Sequence, residues 1–271
     1  MASLPIQQIH DREVLFADEW VSEIKPETID VRAAFESITA PENRFVLKTL
    51  GSLQGKRVLD LGVGVGESSV YFALQGADVT ALDISPRSIE FQHKLAERYG
   101  VTINAVIDTA ESFSNSLNNF DIIYMANLVH HVVDRDKLFE RVRDALIPGG
   151  QFVSWDPLVY NPILNVYRTM ATRVRTVDEV PLSFRDIKTA RKYFPNVQHR
   201  EFWIFSLALF LKYYFLDNIH PNKDRYWKRI LRESEDQLWW FKPLQSIDSI
   251  LTRVPQLKKF SWNIVMWGSN H

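Results

Sequence analysis

Residues 58–68 read VLDLGVGVGES, and this stretch decides the fold. A short apolar run, Arg57 to Leu61, enters three glycines at alternate positions, Gly62, Gly64 and Gly66. The residues that follow, SSVYFALQGA, have the composition of a helix ended by Gly76. A strand, a glycine loop and a helix in that order bring backbone against a nucleotide-like ligand at the carboxyl edge of a parallel sheet. A dinucleotide fingerprint needs G-x-G-x-x-G, with its third glycine allowing close helix packing and the helix N-terminus facing a pyrophosphate. Here the third residue after Gly64 is Glu67, a bulky anion beside that pyrophosphate, which argues against NAD. No Gly-Lys-Ser/Thr follows, so a P-loop is excluded as well.

Outward from the loop, strand and helix patterns alternate. Asp78 to Asp83 is strand-like, and Ser85-Pro86 opens a helix that runs to about Tyr99 and stops at Gly100, with serine as N-cap and proline at the first helical position. Further strands are expected at 102–107, at 120–126 and in QFVSW ending at Asp156, with a helix over 134–146 broken by Pro148-Gly149-Gly150. Short strands alternating with helices imply right-handed βαβ units and a parallel sheet. A helix over 183–194 and strands over 197–205 and 260–267 complete the expected architecture. It is an α/β, Rossmann-like, seven-stranded and mostly parallel sheet with helices on both faces and a helical lid. Residues 1–50 form an N-terminal helical segment able to fold over the site, 51–156 the binding core, and 157–271 the rest of the sheet with cap insertions at 157–182 and 206–259.

Composition narrows the function classes. The chain has 271 residues, 46% hydrophobic and 24% charged, which is an ordinary globular balance. It has no cysteine, which removes disulfides, thiolate metal sites and cysteine nucleophiles together. The seven histidines show no recognisable metal motif, so no metal is expected. A net charge of −1 argues against a nucleic-acid binder held by counterion release. That average hides an asymmetry: residues 1–156 carry 14 Lys+Arg against 23 Asp+Glu, and residues 157–259 carry 18 against 10. Seven of the eight tryptophans fall after residue 150, so an acidic front half faces a basic, aromatic back half. Such a split marks two jobs within one fold. The N-terminus lacks the basic and apolar pattern of a secretory signal, which makes the cytoplasm the default location.

D-x-G-x-G-x-G closing a first strand, with an acid ending the second, resembles the cofactor site of class I S-adenosylmethionine-dependent methyltransferases. The resemblance spans roughly residues 40–156. It is closest to the small-molecule subgroup that includes the ubiquinone and menaquinone methyltransferases, which share the LHH-like stretch and the PGG turn. Val63 departs from the cysteine of many relatives. The resemblance implies S-adenosyl-L-methionine as cofactor. Gly62, Gly64 and Gly66 would let backbone approach it, Asp60 would orient its amino end, and Asp83, with Ile84, would take the ribose hydroxyls. Asp108, Thr109 and Ala110 match the adenine position, and Ala126 and Asn127 the methionine side.

Methyl transfer from a sulfonium is an in-line displacement in which the protein mainly aligns and desolvates. A general base is needed only for a nucleophile that is protonated at working pH. The Asn-Pro-Pro-aromatic signature of adenine and glutamine amine methyltransferases is missing after strand four, which leaves His130 and His131 as the titratable candidates. The expected acceptor is a small or lipid-like molecule, methylated on oxygen first, then carbon, then nitrogen. Trp155, Asp156, Tyr160, Tyr167 and Arg168 are expected to bind it, the last three from one helix face. FWIFSLALFLKYYFL at 202–216, followed by KDRYWKRILR, fits either a buried cap helix or an interfacial one. Two alternatives therefore stand beside a soluble enzyme: a catalytically silent cofactor-binding subunit, and a peripheral membrane methyltransferase of a lipid or quinone precursor. The sequence does not specify the oligomeric state.

Overall fold

A computed structural model describes residues 5–233 and 238–271. The chain begins with three helices: α1 (Ile6–Ser22), α2 (Val31–Glu36) and α3 (Pro41–Leu50). The sheet then starts with β1 (Arg57–Leu61), α4 (Glu67–Leu74), β2 (Asp78–Asp83), α5 (Pro86–Tyr99), β3 (Asn104–Ile107), β4 (Phe120–Ala126), α6 (Arg135–Ala145) and β5 (Leu146–Pro157). After it come α7 (Pro162–Met170), α8 (Phe184–Tyr193) and β6 (Gln198–Phe202). The cap follows as α9 (Ala208–Leu211), α10 (Tyr226–Arg232), α11 (Leu238–Leu251) and α12 (Pro255–Lys258), and β7 (Asn263–Ser269) closes the chain.

The strand order is β3-β2-β1-β4-β5-β7-β6. β1 to β5 are parallel, and β7 runs antiparallel to both its neighbours. Alternate residues face opposite layers, as a strand's period of two requires. Val58, Ile122, Val153 and Val265 join one buried core, while Leu59, Ile123, Phe152 and Ile264 join the other. Both faces are thus covered, which is why these strands are almost continuously apolar. Strand order reverses between β1 and β4, and the crevice at their carboxyl ends is where ligands bind in such sheets.

Local chemistry ends each helix where the sequence suggested. Ser85 caps α5 by accepting the Ser88 amide, and Gly100 closes it in a left-handed conformation. Ser183 and Asp186 form a reciprocal capping box on α8. Several boundaries differ from expectation. β3 starts at Asn104, β6 ends at Phe202 because Trp203 turns at φ +69°, and β7 begins at Asn263. Pro148-Gly149-Gly150 does not separate helix from strand: β5 starts at Leu146, and the register against β4 shifts between Phe120 and Ile122. The cap is not one helical run. α9 passes into a π-helical turn at Lys212–Leu216, and Asn218 at φ +53° and Pro221 interrupt the chain before α10. Residues 234–237 of the expected helical stretch lie outside the described residues.

The aromatic back half is largely the core of this cap. Trp203 packs on Phe241 and Trp262, and Phe210 meets Tyr167, Tyr226 and Trp262 with ring centroids 5.1–5.3 Å apart. Buried Asp248 of α11 accepts the Phe205 and Ser206 amides and the Ser206 hydroxyl, which pins the start of the cap.

Gly66 shows why the third glycine is where it is. It sits at φ +77°, and a Cβ there would lie 2.7 Å from Gln92 Cγ and 3.1 Å from Gln92 Cα of α5. A Gly66→Ala variant should therefore lose about 1–3 kcal/mol of stability through backbone strain and overpacking. Denaturant unfolding measures this, and an unchanged midpoint would show that the α4–α5 contact is not tight.

Candidate active site

The carboxyl ends of β1, β2, β4 and β5 open into a cavity of about 380 Å³ between the sheet, the cap and α1. Helical spacing brings α1 into it: His10, Glu13, Ala17 and Trp20 recur at intervals of three and four, so they share one face, and all four line the cavity. That face is fastened at both ends. Asp18 accepts the Ser85 hydroxyl at 2.6 Å on the β2 side, and Arg12 reaches Asp178 at 2.9 Å on the cap side. Trp20 lies over the glycine loop, 3.2 Å from where a Gly64 Cβ would stand.

Nine of the eleven residues expected at the cofactor line this cavity: Gly62, Gly64, Asp83, Ile84, Asp108, Thr109, Ala110, Ala126 and Asn127. The other two sit behind the loop. Gly66 packs on α5, and Asp60, 1% exposed, accepts the Ser68 and Ser69 hydroxyls at 2.6 and 2.5 Å. Asp60 therefore fixes the first turn of α4 and does not reach the ligand space. Burial pushes its carboxyl up to about 6. Asp83 accepts the Ser85 amide on Oδ1 and the Gly64 amide on Oδ2, both at 2.9 Å. Burial raises it also to about 6, because no cation pairs with it. Each oxygen keeps a lone pair for a further donor, as a cis-diol would supply. Asp108 accepts the amides of Thr109 and Ser114 and so shapes the adenine-side loop. A glycine edge, a buried carboxylate and an acidic residue, Glu67, at the helix N-terminus fit an adenosine-type cofactor without pyrophosphate. Glu67, at that N-terminus, is held by Lys228 at 2.6 Å.

The two histidines have different environments. His130 is 6% exposed, and its Nδ1 lies 2.8 Å from Asp156 Oδ1, which also accepts the His130 amide. Burial works against charge on both partners, holding this imidazole well below its usual range and pushing the Asp156 carboxyl up. His131 has its Nδ1 3.0 Å from Glu13 Oε2 of α1, in an ion pair whose geometry is not that of an aligned hydrogen bond. Burial works against charge on His131, but the Glu13 contact outweighs it and raises the imidazole above its usual value. Burial likewise opposes charge on Glu13, and the His131 contact outweighs that and lowers the acid. Glu13 is further held by the Thr176 hydroxyl at 2.7 Å.

The expected acceptor residues divide. Trp155, Tyr167 and Arg168 line the cavity. Tyr160 does not: Asn161 caps α7 and Pro162 begins it, so Tyr160 precedes the helix, stacks on Phe184 and accepts its amide. Asp156 lies behind His130, fully buried. The sequence also hid a cluster. His130, His131 and Glu179 offer one donor atom each within 4.8 Å, although no metal motif is visible in the linear chain. Arg175 already pairs with Glu179 at 2.8 Å, and Arg168, Arg135 and Arg175 place positive charge around His130. That field opposes a bound cation. Glu13, Glu179 and Arg225 are among the cavity residues that sequence reasoning missed. Only Glu13 carried a signal, the one-faced stripe of α1.

Residues 58–150 match a family described as a methyltransferase domain. Over that segment the chain is similar to methyltransferase domains. It is 38% identical over 100 residues to the ubiquinone biosynthesis O-methyltransferase of Cereibacter sphaeroides, covering 37% of this chain and 40% of that protein. It is 36% identical over 111 residues to the protein of the same name from Methylocella silvestris, covering 41% and 42%. The chain spans about two fifths of the length of these relatives. Among solved structures, phosphoethanolamine N-methyltransferase 2 of Haemonchus contortus, in complex with S-adenosyl-L-methionine, has a similar fold. It has a TM-score of 0.57 at 19% identity, covering 100% of this chain and 61% of that one. The matched segment of the methyltransferase domain runs from β1 into β5, and α1 and the cap lie outside it.

The His131–Glu13 pair ties α1 to that domain and makes its docking pH-dependent. His131 is raised on folding, so its contribution is complete below the unfolded value near 6.5 and is lost as pH rises through the folded value. Glu13→Gln should remove that contribution. Unfolding free energies of the two proteins should differ most at about pH 5.5–6.5 and converge above the folded value of His131. Parallel curves across that range would exclude the coupling.

Proposed function

We propose that this protein is an S-adenosylmethionine-dependent methyltransferase that alkylates a hydroxyl oxygen of a small molecule. One observation carries the reading: the glycine edge with Asp83 and the His131–Glu13 pair line the same cavity. When bound, the cofactor supplies an activated methyl group together with its leaving group. The chain's own part is alignment, water exclusion and proton handling. Asp83 holds the ribose end, Trp20 and α1 cover the loop, and Trp155 of β5 with Tyr167 and Phe210 of the cap desolvate the acceptor. His131 takes the acceptor's hydroxyl proton, with Glu13 as the positioning residue that stabilises the imidazolium formed. His130, locked on Asp156, keeps its neighbour's ring in place. The curated relatives named above support oxygen as the methylated atom. In this reading residues 1–50 are the lid, 51–156 the cofactor core and 157–271 the remaining sheet with its acceptor cap, in the cytoplasm.

Calorimetric titration with S-adenosylmethionine and S-adenosylhomocysteine, with NAD as control, tests the reading. Binding of the first two and not the third is expected. Asp83→Ala should weaken that binding by about 1.5–3 kcal/mol, the range for hydrogen bonds to a charged group. His131→Gln should bind the cofactor normally and lose turnover. Wild-type turnover should rise with pH, because a base whose value is raised must first lose its proton. Absence of binding to wild type would sink the assignment.

A second reading concerns the outer side of the cap. Among the described residues no helix is long and apolar enough to cross a membrane. Yet Phe215, Leu216 and Trp239 are 71%, 73% and 70% exposed, and Ile250 is 64% exposed on the same stretch of cap. Lys242, Arg253, Lys258 and Lys259 accompany them in sequence. Apolar side chains beside basic ones suit the surface of an anionic bilayer. Sedimentation with anionic phosphatidylserine vesicles, lost in a Phe215→Ser/Trp239→Ser double variant, is the expected result. Equal recovery in the supernatant with and without vesicles would exclude it.

A further inference from the structure

The charges lining the cavity pair off almost completely. Lys228 holds Glu67 at 2.6 Å, Arg175 holds Glu179 at 2.8 Å, His131 meets Glu13 at 3.0 Å and His10 meets Glu111 at 3.5 Å. Asp83 and Asp108 accept backbone amides, and Glu42 accepts from Trp203 and Asn263. Two cations are left over. Arg168 of α7 donates to the neutral Asn165 Oδ1 at 2.8 Å and to the Leu158 carbonyl at 3.1 Å. Arg225, just before α10, stands over the rings of Trp20 and Phe16, 4.6 and 5.6 Å from their centroids. Among the described residues no carboxylate lies within ion-pair distance of either. Desolvation lowers both guanidinium values to about 10, which a resident anion would oppose.

An unpaired guanidinium in a largely apolar cavity is costly unless a ligand completes it. The two differ in position. Arg168 lines the cavity with His130 and His131, and its carbonyl accepts from Arg175, which pairs with Glu179 of the histidine cluster, so it belongs to the side where the acceptor's reacting atom is placed. Arg225 stands beside Trp20, the ring over Gly64, on the cofactor side. The cavity that Arg168 lines also has aromatic walls, among them Trp155, Tyr167 and Phe210. We propose that the methyl acceptor is an acid, a hydroxylated aromatic or apolar body ending in a carboxylate or phosphate, and that Arg168 recognises its oxyanion. The planar fork of arginine suits either group bidentately. The word acceptor rests on the methyltransferase reading; the oxyanion site itself does not. The cofactor's own carboxylate is a second source of the same chemistry, and the fit of Arg225 to it is separable by experiment.

Protein saturated with S-adenosylhomocysteine is titrated calorimetrically with 4-hydroxybenzoate, 4-hydroxyphenyl phosphate and, as neutral control, methyl 4-hydroxybenzoate. At least one anionic probe should bind about tenfold or more tighter than the ester, the size of one charge-assisted hydrogen bond. Arg168→Met should abolish that margin while keeping the affinity for S-adenosylhomocysteine, which shows that the variant is folded. Arg168→Lys should restore part of it. Arg225→Met, if it weakens S-adenosylhomocysteine instead, assigns that cation to the cofactor carboxylate. The proposal falls if neither anionic probe binds, if the ester binds as tightly as both, or if Arg168→Met keeps the margin. Failure of wild type to bind S-adenosylhomocysteine overturns the methyltransferase reading alone. The same three probes then test the oxyanion site on the free protein.

Discussion

Everything at the working edge of this sheet depends on a backbone constraint at the end of β1. Gly62, Gly64 and Gly66 all have positive φ, at +72°, +52° and +77°. An L side chain rarely adopts one such conformation, and here alternate residues adopt it in succession. The result is a turn tight enough to start α4 directly above β1 and to present the Gly64 amide to Asp83 across the gap from β2. Neighbouring side chains press close against the turn. Leu128 crowds Gly62, Trp20 crowds Gly64 and Gln92 crowds Gly66. Three separate segments therefore use the absence of a Cβ, which couples the loop after β4, the helix α1 and the helix α5 to one turn.

Burial then sets the electrostatic character of the site. Asp60 and Asp83 lie eight or fewer per cent exposed with no cation beside them, and both are pushed up to about 6. Their charge is stabilised chiefly by hydroxyls and amides, with the charge of His131 adding at Asp83. A cationic sulfonium would enter such a field favourably, whereas a pyrophosphate would not. The part of the chain after residue 156 brings the opposite sign to the same cavity, with Arg168, Arg175, Arg225 and Lys228 all on its wall. The acidic front half and the basic back half of the linear sequence thus meet around a single cavity.

How far the sequence could be read follows the range of the interactions. The sheet and the glycine loop rest on local pattern, strand apolarity, Ser-Pro and Gly helix ends, and spacing along a few residues, so they were legible. Asp60 was misplaced because its fate depends on Ser68 and Ser69, whose hydroxyls turn back only once α4 is built. Tyr160 was misplaced although its signal was present: Asn161-Pro162 is a helix start, and a residue before the cap cannot share the helix face with Tyr167. The pairing of Glu13 with His131 joins residues 118 positions apart through a loop, a sheet and a helix. No single-sequence pattern encodes that contact, nor the approach of Glu179 to the histidines. The cap's aromatic residues were correctly seen as a group, but whether Trp203 or Trp239 is inside depends on chain path: the former is 3% exposed and the latter 70%.

The position of α1 links these parts into one device. Its single inward face carries Trp20 onto the glycine turn and Glu13 onto His131, while Asp18 holds the start of α5 and Arg12 holds the cap. A helix that covers the cofactor loop and at the same time tunes the base cannot do one without the other, since both side chains ride on the same rigid segment. The covering of the glycine turn by Trp20 and the contact of Glu13 with His131 are thus two consequences of one placement of α1. Water exclusion and proton uptake are tied by geometry, without any signal passing through the core.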